Sequence, residues 1–207
     1  MKRIAAILAA VLAIGMCAYA QEAGELAKYG IMQGDPDGNM RLEDGVTRAE
    51  MAKIIVTALD YGACANTDTS FSDVASSHWA SGYINEAYKA GIIAGRGDGT
   101  FAPEDSVTNE EAVKMIVCAL GYDVLADMYG GYPFGYMQTA ERQGVLANLN
   151  LNGKAKATRG DVAALMCNAL DIPFLRGQKS EDGSGMEYVI MDGKKAEKLT
   201  MRTQLEQ

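Results

Sequence analysis

Histidine, tryptophan and cysteine are scarce in this sequence, which has one, one and four of them among 207 residues. With His78 as the sole histidine, the usual zinc sites and histidine-based catalytic groups have almost no side chains to draw on. Three of the cysteines, Cys64, Cys118 and Cys167, lie far apart at or near the ends of apolar runs. Without a close pair they predict no disulfide framework or metal site, and we interpret them as small buried apolar residues. No cofactor is predicted.

Long apolar runs are also lacking, apart from one at the start of the chain. Lys2 and Arg3 precede an apolar stretch over residues 4–18, and Ala18-Tyr19-Ala20 fits the cleavage site of a secretory signal peptide, residues 1–20. A lipoprotein signal acylated at Cys17 is the weaker alternative, because Met16 stands where a small residue is expected. The run is shorter than the roughly 20 residues of a spanning helix. The sequence thus predicts a secreted protein with no membrane span after signal removal.

Basic residues are in deficit. There are 19 lysines and arginines against 27 aspartates and glutamates, a formal net charge of −8, and loss of Lys2 and Arg3 would take it to about −10. A chain of this charge is not attracted in bulk to nucleic acid or to an anionic membrane. Neither is predicted as a partner.

What the sequence does contain is an internal repeat of about fifty residues. Residues 91–120 lie over residues 30–59 without a gap, and residues 82–93 and 108–120 lie over 135–146 and 158–170. Stacked units of this kind bury their apolar faces only against one another. We therefore predict an all-α domain over residues 21–172, with three helix-loop-helix repeats that share one core in a pseudo-threefold arrangement. The repeats span about 21–62, 71–122 and 123–172, by the same alignment.

Each repeat carries the same start and stop signals. The first helix ends at a glycine, which readily adopts the left-handed cap conformation. A loop follows and ends in a threonine with an acidic residue three places later, the signature of a capping box that begins the second helix. The glycines are Gly30, Gly91 and Gly144, and the capping pairs are Thr47 with Glu50, Thr108 with Glu111 and Thr158 with Asp161.

The repeat pattern ends at Ile172-Pro173, and residues 173–207 are interpreted as a linker and tail. Residues 177–185 are polar and glycine-rich, which predicts a flexible connection. Tyr188–Met191, the turn residues Asp192-Gly193 and the stretch to Met201 predict a small C-terminal β-hairpin appendage.

Several ordered motifs resemble the S-layer homology domain. They are FSDV at residues 71–74, HWA at 78–80, GRGDGTF at 95–101 followed by Pro103, and VTRAEMAKIIVTAL at 46–59. The resemblance covers about residues 21–172. It implies a three-pronged arrangement of helices that is secreted by bacteria and binds secondary cell-wall polysaccharide non-covalently, often through pyruvylated sugars. Such domains tether S-layer proteins and exoenzymes to the wall.

The first candidate ligand residues are Arg48 and Arg159, which begin two of the second helices. A guanidinium fork beside free helix amides suits a carboxylate, and the family's corresponding arginine is assigned to the pyruvate ketal of a wall sugar. The alternative is an arginine that is solvated or paired within the protein. Asn109, without charge, stands at this place in the second repeat. We predict that Arg48→Ala or Arg159→Ala loses wall binding while staying folded.

The remaining candidates follow from the resemblance. Trp79 suits stacking on a sugar ring, although a tryptophan that lines the core is the alternative. Asp73, Gly97 and Asp98, with Gly34 and Asp37 in the first repeat, resemble positions that form the binding groove. The alternative for the glycines is that they only permit the turn.

The sequence gives less support to two other functional classes. Asp35, Asp37 and Asn39 alternate before a helix, as in a calcium-binding dockerin or EF-hand module, but the glycine and closing glutamate of that loop are missing. An enzyme is not predicted, because Glu50 and Glu111 are already explained as capping residues. The resemblance to the S-layer homology domain implies instead a non-catalytic module that anchors its protein to the bacterial cell wall through an acidic, pyruvylated glycan.

Overall fold

The computed structural model describes residues 19–62, 64–180, 186–191 and 199–206. The predicted signal peptide lies almost entirely outside the described residues. Within them, no helix has the length and apolar character that crossing a bilayer requires. The described chain is helical, as predicted, with one two-stranded sheet near its C-terminal end.

The helices follow the repeat. In chain order they are α1 (residues 19–28), α2 (Arg48–Ala58), α3 (Ser81–Lys89), α4 (Asn109–Leu120), α5 (Asp123–Met128), α6 (Phe134–Gln143), α7 (Arg159–Leu170) and α8 (Met201–Leu205). The short helices α5 and α8 were not predicted. Helix α5 packs against both α4 and α6.

The three predicted capping boxes are confirmed at the starts of α2, α4 and α7. Each threonine hydroxyl accepts a hydrogen bond from the amide three residues later, and each acidic side chain accepts one from the threonine amide. Two helix donors are thereby satisfied at each start, which stabilises a helix by about 1 kcal/mol. The helices before them end as predicted at Gly30, Gly91 and Gly144, with φ of +70°, +72° and +92°.

A closed ring of backbone hydrogen bonds joins the three repeats at the centre of the domain. The Val107 amide donates to the Val46 carbonyl (3.0 Å), the Val46 amide to the Ala157 carbonyl (3.1 Å), and the Ala157 amide to the Val107 carbonyl (2.9 Å). All three residues are fully buried. This ring gives the predicted pseudo-threefold arrangement its axis.

Helices from neighbouring repeats pack around that ring. Helix α3 packs on α2 and α6 packs on α4, so the first helix of one repeat covers the second helix of the repeat before it. Helix α1 covers α7 in the same way: the Tyr19 ring lies beside Gly160, and the Cys167 thiol donates to the Glu22 carbonyl at 3.3 Å. One continuous apolar cluster fills the space between these helices. The repeats therefore bury their apolar faces against one another, and Phe174, Leu175 and Met201 of the tail join the same cluster.

The C-terminal hairpin is present, but its strands are not where the sequence placed them. Strand β1 (Leu175–Lys179) pairs antiparallel with β2 (Met186–Ile190), with Gly177 opposite Tyr188. The prediction that Tyr188–Met191 begins the hairpin, and that residues 177–179 belong to a flexible connection, is wrong. The predicted turn at Asp192-Gly193 lies outside the described residues. The position of β1 is set by burial and not by the predicted turn residues. Phe174 and Leu175 are buried and anchor β1 on the helical domain.

The end of the described chain returns to its beginning. Met201 of α8 is fully buried, and the Arg202 guanidinium lies 2.6 Å from carboxylate oxygens of Asp171 and Glu25. These two carboxylates raise the pKa of Arg202 above its ordinary value. The tail therefore connects the last helix of the third repeat to the first helix of the first repeat.

Candidate binding grooves

The backbone amides at the starts of α2 and α7 are all used within the protein. In each helix the third amide donates to the capping threonine, and the first two donate to the loop of another repeat. These inter-repeat bonds are Arg48 to Asp105 (2.9 Å), Ala49 to Pro103 (3.0 Å), Arg159 to Asp44 (2.8 Å) and Gly160 to Leu42 (2.9 Å). The expectation that free helix amides face a ligand is therefore wrong, because the ring of repeats consumes them.

The Arg48 side chain holds the loop of the second repeat. It is 7% exposed, and its Nε and Nη2 atoms donate to the carbonyl oxygens of Phe101 and Ala94 at 2.8 and 3.0 Å. The guanidinium carbon lies 4.5 Å from the centre of the Phe101 ring. The third nitrogen, Nη1, lies 3.8 Å from Glu111 Oε1 at the wall of a cavity.

Arg159 repeats this arrangement on the loop of the first repeat. Its Nε and Nη2 atoms donate to the carbonyl oxygens of Met40 and Gln33 at 2.8 and 2.7 Å. These acceptors are 61 residues before those of Arg48, the offset found in the sequence repeat. Arg159 is half-buried. Both arginines are thus paired within the protein, with backbone carbonyls as partners, while each still borders a cavity.

The first cavity, which we name the Trp79 groove, has a volume of about 280 Å³. Trp79 forms one side and is 47% exposed, so it does not line the core. The groove is lined by Ile31, Met32, Gln33, Gly34, Glu50, Lys53, Ile54, Trp79 and Arg159. It continues into a second space of about 150 Å³ that Asp35, Arg41 and Asp44 border.

The second cavity, the Tyr132 groove, has a volume of about 150 Å³. It is lined by Arg48, Ile92, Ile93, Ala94, Gly95, Arg96, Glu111, Lys114, Met115 and Tyr132. Residues 92–95, 111, 114 and 115 are the repeat equivalents of 31–34, 50, 53 and 54, and Tyr132 aligns with Trp79. The two grooves are therefore the same site built twice, each between the loop and second helix of one repeat and the start of the next.

Lys53 and Lys114 are groove residues that the sequence analysis missed. They stand six residues after Thr47 and Thr108, on the turn that faces each cavity. The Lys114 ammonium lies 5.2 Å from the centre of the Tyr132 ring and 5.6 Å from that of Tyr136. No carboxylate within the described residues pairs with it closely enough for a salt bridge. Lys53 and Lys114 could have been identified from the sequence, because they are related by the 61-residue offset of the repeat.

Tyr132 is fixed from its far side. Its hydroxyl donates to Glu110 Oε1 at 3.2 Å. Burial and then the Glu110 charge raise the pKa of Tyr132 to about 12. The ring therefore stays neutral and presents an aromatic face with a cation above it.

The family model described as the S-layer homology domain matches residues 14–52 and 70–113. The chain belongs to the S-layer homology family. That family and its relatives give the chain a cell-surface, cell-wall-associated location, as predicted from the sequence.

The relatives of this S-layer homology chain are much longer. It is 30% identical over 189 residues to a cell surface protein of Thermoanaerobacter kivui, covering 89% of this chain and 24% of that protein. It is 32% identical over 168 residues to the middle cell wall protein of Brevibacillus brevis, covering 80% and 16%. It is 29% identical over 171 residues to the cellulosome-anchoring protein of Acetivibrio thermocellus, covering 74% and 38%. The chain thus spans less than a quarter of the first two.

The other predicted groove residues of this S-layer homology chain divide into two sets. Gly34 borders the Trp79 groove, where a Cβ would lie 2.9 Å from the Asn39 carbonyl oxygen. Asp73 instead accepts the Phe101 and Ala102 amides at 2.8 and 2.7 Å, and so fixes the loop that Arg48 holds. Gly97, Asp98 and Asp37 lie on exposed loop tips away from the cavity walls. Asp98 accepts from the amide and hydroxyl of Thr100.

The loop that suggested calcium makes an ordinary turn. Asp35 Oδ1 accepts the amides of Asp37 and Asn39 at 3.0 and 2.9 Å. The Asn39 amide in particular lowers the pKa of Asp35. This is the Asx-turn pattern, in which a carboxylate organises its own loop. In the described part of the chain, no group of three or more His, Cys, Asp or Glu is arranged to hold a metal.

The third repeat does not build an equivalent groove. Asn109 takes the arginine position and donates to the Asn152 carbonyl at 3.1 Å, and Ala164, fully buried, takes the lysine position. Asn168 donates to the carbonyls of Val145 and Ala147 at 3.0 Å each, so the wall is closed by the chain's own amides. Within the described residues, the arginine and the lysine therefore come together at two of the three boundaries between repeats.

The cysteines of the described residues are free, as predicted. They are half-buried rather than buried. Burial raises the pKa of Cys118 to about 11 and that of Cys167 to about 12. Both thiols stay protonated at neutral pH and serve as packing groups.

Proposed function

We propose that this chain is a non-catalytic module that holds its protein at the cell wall by binding an acidic polysaccharide in the Trp79 and Tyr132 grooves. The observation that carries the proposal is that an arginine, a lysine and an aromatic ring border each of the two cavities. Among the described residues neither lysine has a salt-bridge partner, and each lines a groove with an exposed ring, so each groove offers one charge and one stacking face. A sugar that bears a carboxylate, such as a pyruvate ketal, presents the complementary pair.

The local cations matter because the chain as a whole is acidic. A net charge of −8 repels an anionic polymer at long range. Binding must therefore come from charges at contact distance, in cavities with low-dielectric walls, where charge-assisted hydrogen bonds are strong. The arginines contribute to this local positive charge and also keep the loop of each groove in place.

The acidic residues in the grooves have structural duties. Glu50 and Glu111 each accept a helix-start amide at 2.8 Å as part of a capping box. One relative, an uncharacterized cell wall amidase of Bacillus anthracis, is 31% identical over 99 residues, 18% of that protein. We assign the shared part to anchoring, because Glu50 and Glu111 are committed to holding the helix starts.

Co-sedimentation with purified cell walls tests the proposal through Lys53→Ala, Lys114→Ala and the double variant. Each single change is expected to weaken binding about tenfold, the effect of one charge-assisted contact of about 1.4 kcal/mol. The double variant should lose most retention. Lys89→Ala is the matched control, because Lys89 is a surface lysine on α3 that pairs with Glu86 away from both grooves.

The walls themselves supply the second control. Walls from which the polysaccharide has been stripped should not retain the unmodified protein. Full retention by a folded double variant, or equal retention on stripped walls, would refute the proposal. Circular dichroism of each variant shows whether the fold is intact.

A further inference from the structure

The two grooves differ in the charges of the residues that line them. Arg96 lines the Tyr132 groove, and its repeat equivalent 61 residues earlier is Asp35, which borders the Trp79 groove. The surrounding charges are not fully matched either, because Arg41, beside the extension of the Trp79 groove, aligns with Ala102. Because one groove has a guanidinium where the other has a carboxylate, the two grooves attract ligand groups of different charge.

In the Tyr132 groove, two guanidinium groups share one carboxylate. Arg48 Nη1 lies 3.8 Å and Arg96 Nη1 lies 3.3 Å from the same Glu111 oxygen. Arg96 Nη2 also contacts Asp105 at 3.0 Å, on the outer side of the groove. Burial, and then the charge of Arg96, lower the pKa of Arg48, although an arginine still remains protonated at neutral pH. With Lys114 added, the cavity wall carries three cations around one glutamate.

In the Trp79 groove, cations and carboxylates are equal in number. Asp35, Asp44 and Glu50 border the cavity and its extension. Arg41 is paired with Asp44, and Arg159 is bound to backbone carbonyls. The pKa of Asp35 is lowered, so this carboxylate is ionised at neutral pH. With Lys53 included, three cations and three carboxylates border the cavity and its extension, so an anion that enters here meets as much negative charge as positive.

The aromatic residues differ in the same sense. Lys114 covers the Tyr132 ring with its ammonium, so that face presents charge. Trp79 is 47% exposed beside the larger cavity, and its inner neighbour is the His78 ring at 5.7 Å. A broad exposed indole suits the apolar face of an uncharged sugar ring.

We infer that the grooves take different units of one polymer: the Tyr132 groove binds the unit that carries the carboxylate, and the Trp79 groove binds an uncharged unit. Arg96 and Asp35 are the residues that set this difference. The inference rests on the proposed function, since it concerns the same grooves and the same class of ligand.

The test uses short fragments of the polysaccharide released from the producing bacterium's walls, with and without conversion of their carboxylates to neutral amides. Trp79 is the single tryptophan of the chain, so its fluorescence reports the Trp79 groove, while calorimetry reports both grooves together. Neutralising the carboxylates is expected to weaken the calorimetric Tyr132-groove binding about tenfold and to leave the Trp79 fluorescence midpoint within about twofold.

Reciprocal variants identify the residues responsible. Arg96→Asp should weaken binding of the native fragments about tenfold by calorimetry without moving the Trp79 midpoint, and Asp35→Arg should make the Trp79 signal depend on the carboxylates. Arg142→Asp is the matched control, because Arg142 is exposed on α6 and rests on the Tyr129 ring outside both grooves.

The outcomes separate the two claims. If neither fragment binds either groove, the proposed function fails and this inference fails with it. If both grooves lose affinity equally on neutralisation, or if Arg96→Asp behaves like Arg142→Asp, the chain still binds an acidic glycan but the division between the grooves is wrong.

Discussion

Replacing Gly121 by alanine is expected to lower the free energy of unfolding by about 3 kcal/mol or more. Gly121 caps α4 with φ of +84°, a left-handed conformation that costs a non-glycine residue about 1–2 kcal/mol. A second cost adds to the first, because a Cβ at this position would overlap the Leu175 carbonyl oxygen. That atom belongs to the backbone of β1 and cannot rotate away, so the tail must move.

Gly144→Ala provides the matched control. Gly144 caps α6 with φ of +92°, but a Cβ there would meet nothing within 4 Å. Only the conformational cost applies, and the expected loss is about 1 kcal/mol. Chemical denaturation of both variants measures the difference, and hydrogen exchange at the β1 amides should speed up only in Gly121→Ala. Equal losses in the two variants would show that β1 does not depend on its approach to Gly121.

The helical part of this fold could be predicted from the sequence because its signals are local. Thr47, Thr108 and Thr158 each begin a helix through contacts three residues away, and Gly91 and Gly144 each end one through their own backbone conformation. The repeat also predicted the long-range contacts, since a unit that recurs three times must pack on its own copies. The prediction that the three units share one core followed from that argument.

The role of the arginines could not be predicted in this way. A cation at the first position of a helix is unfavourable beside free amides, which suggested a ligand anion. The structure removes the premise, since the ring of repeats takes up those amides and gives each guanidinium two carbonyl acceptors. Arg48 and Phe101 are 53 residues apart in sequence, and only the assembled ring brings them together.

The groove lysines and the C-terminal tail were both missed in the sequence, but for different reasons. Lys53 and Lys114 could have been found, because they share the offset that revealed the repeat and Ala164 breaks it. The tail could not, because β1 contains few strand-forming residues and is held by contacts of Phe174 and Leu175 with the helical domain. Such contacts leave no local pattern to read.

Arg48→Ala is expected to destabilise the protein by about 3 kcal/mol, which corresponds to a Tm lower by about 6–12 °C for a chain of this size. The change removes two charge-assisted hydrogen bonds and leaves the Phe101 carbonyl without its donor in a buried position, at about 1–3 kcal/mol for each orphaned acceptor. It also removes the guanidinium from the face of the Phe101 ring. Thermal and chemical unfolding followed by circular dichroism measures the loss.

Arg159→Ala makes the same chemical change at the equivalent position with a smaller expected loss, about 1 kcal/mol. Its Met40 bond is part-buried and its Gln33 bond is exposed, so water can replace the guanidinium at both carbonyls. Measurements of wall binding then separate the role of each arginine in stability from its role in binding the ligand. At a temperature where both variants are folded, Arg159→Ala should bind more weakly through the Trp79 groove, and Arg48→Ala through the Tyr132 groove. A fully stable Arg48→Ala would mean that the loop of the second repeat is held by Asp73 and the backbone ring without help from the guanidinium.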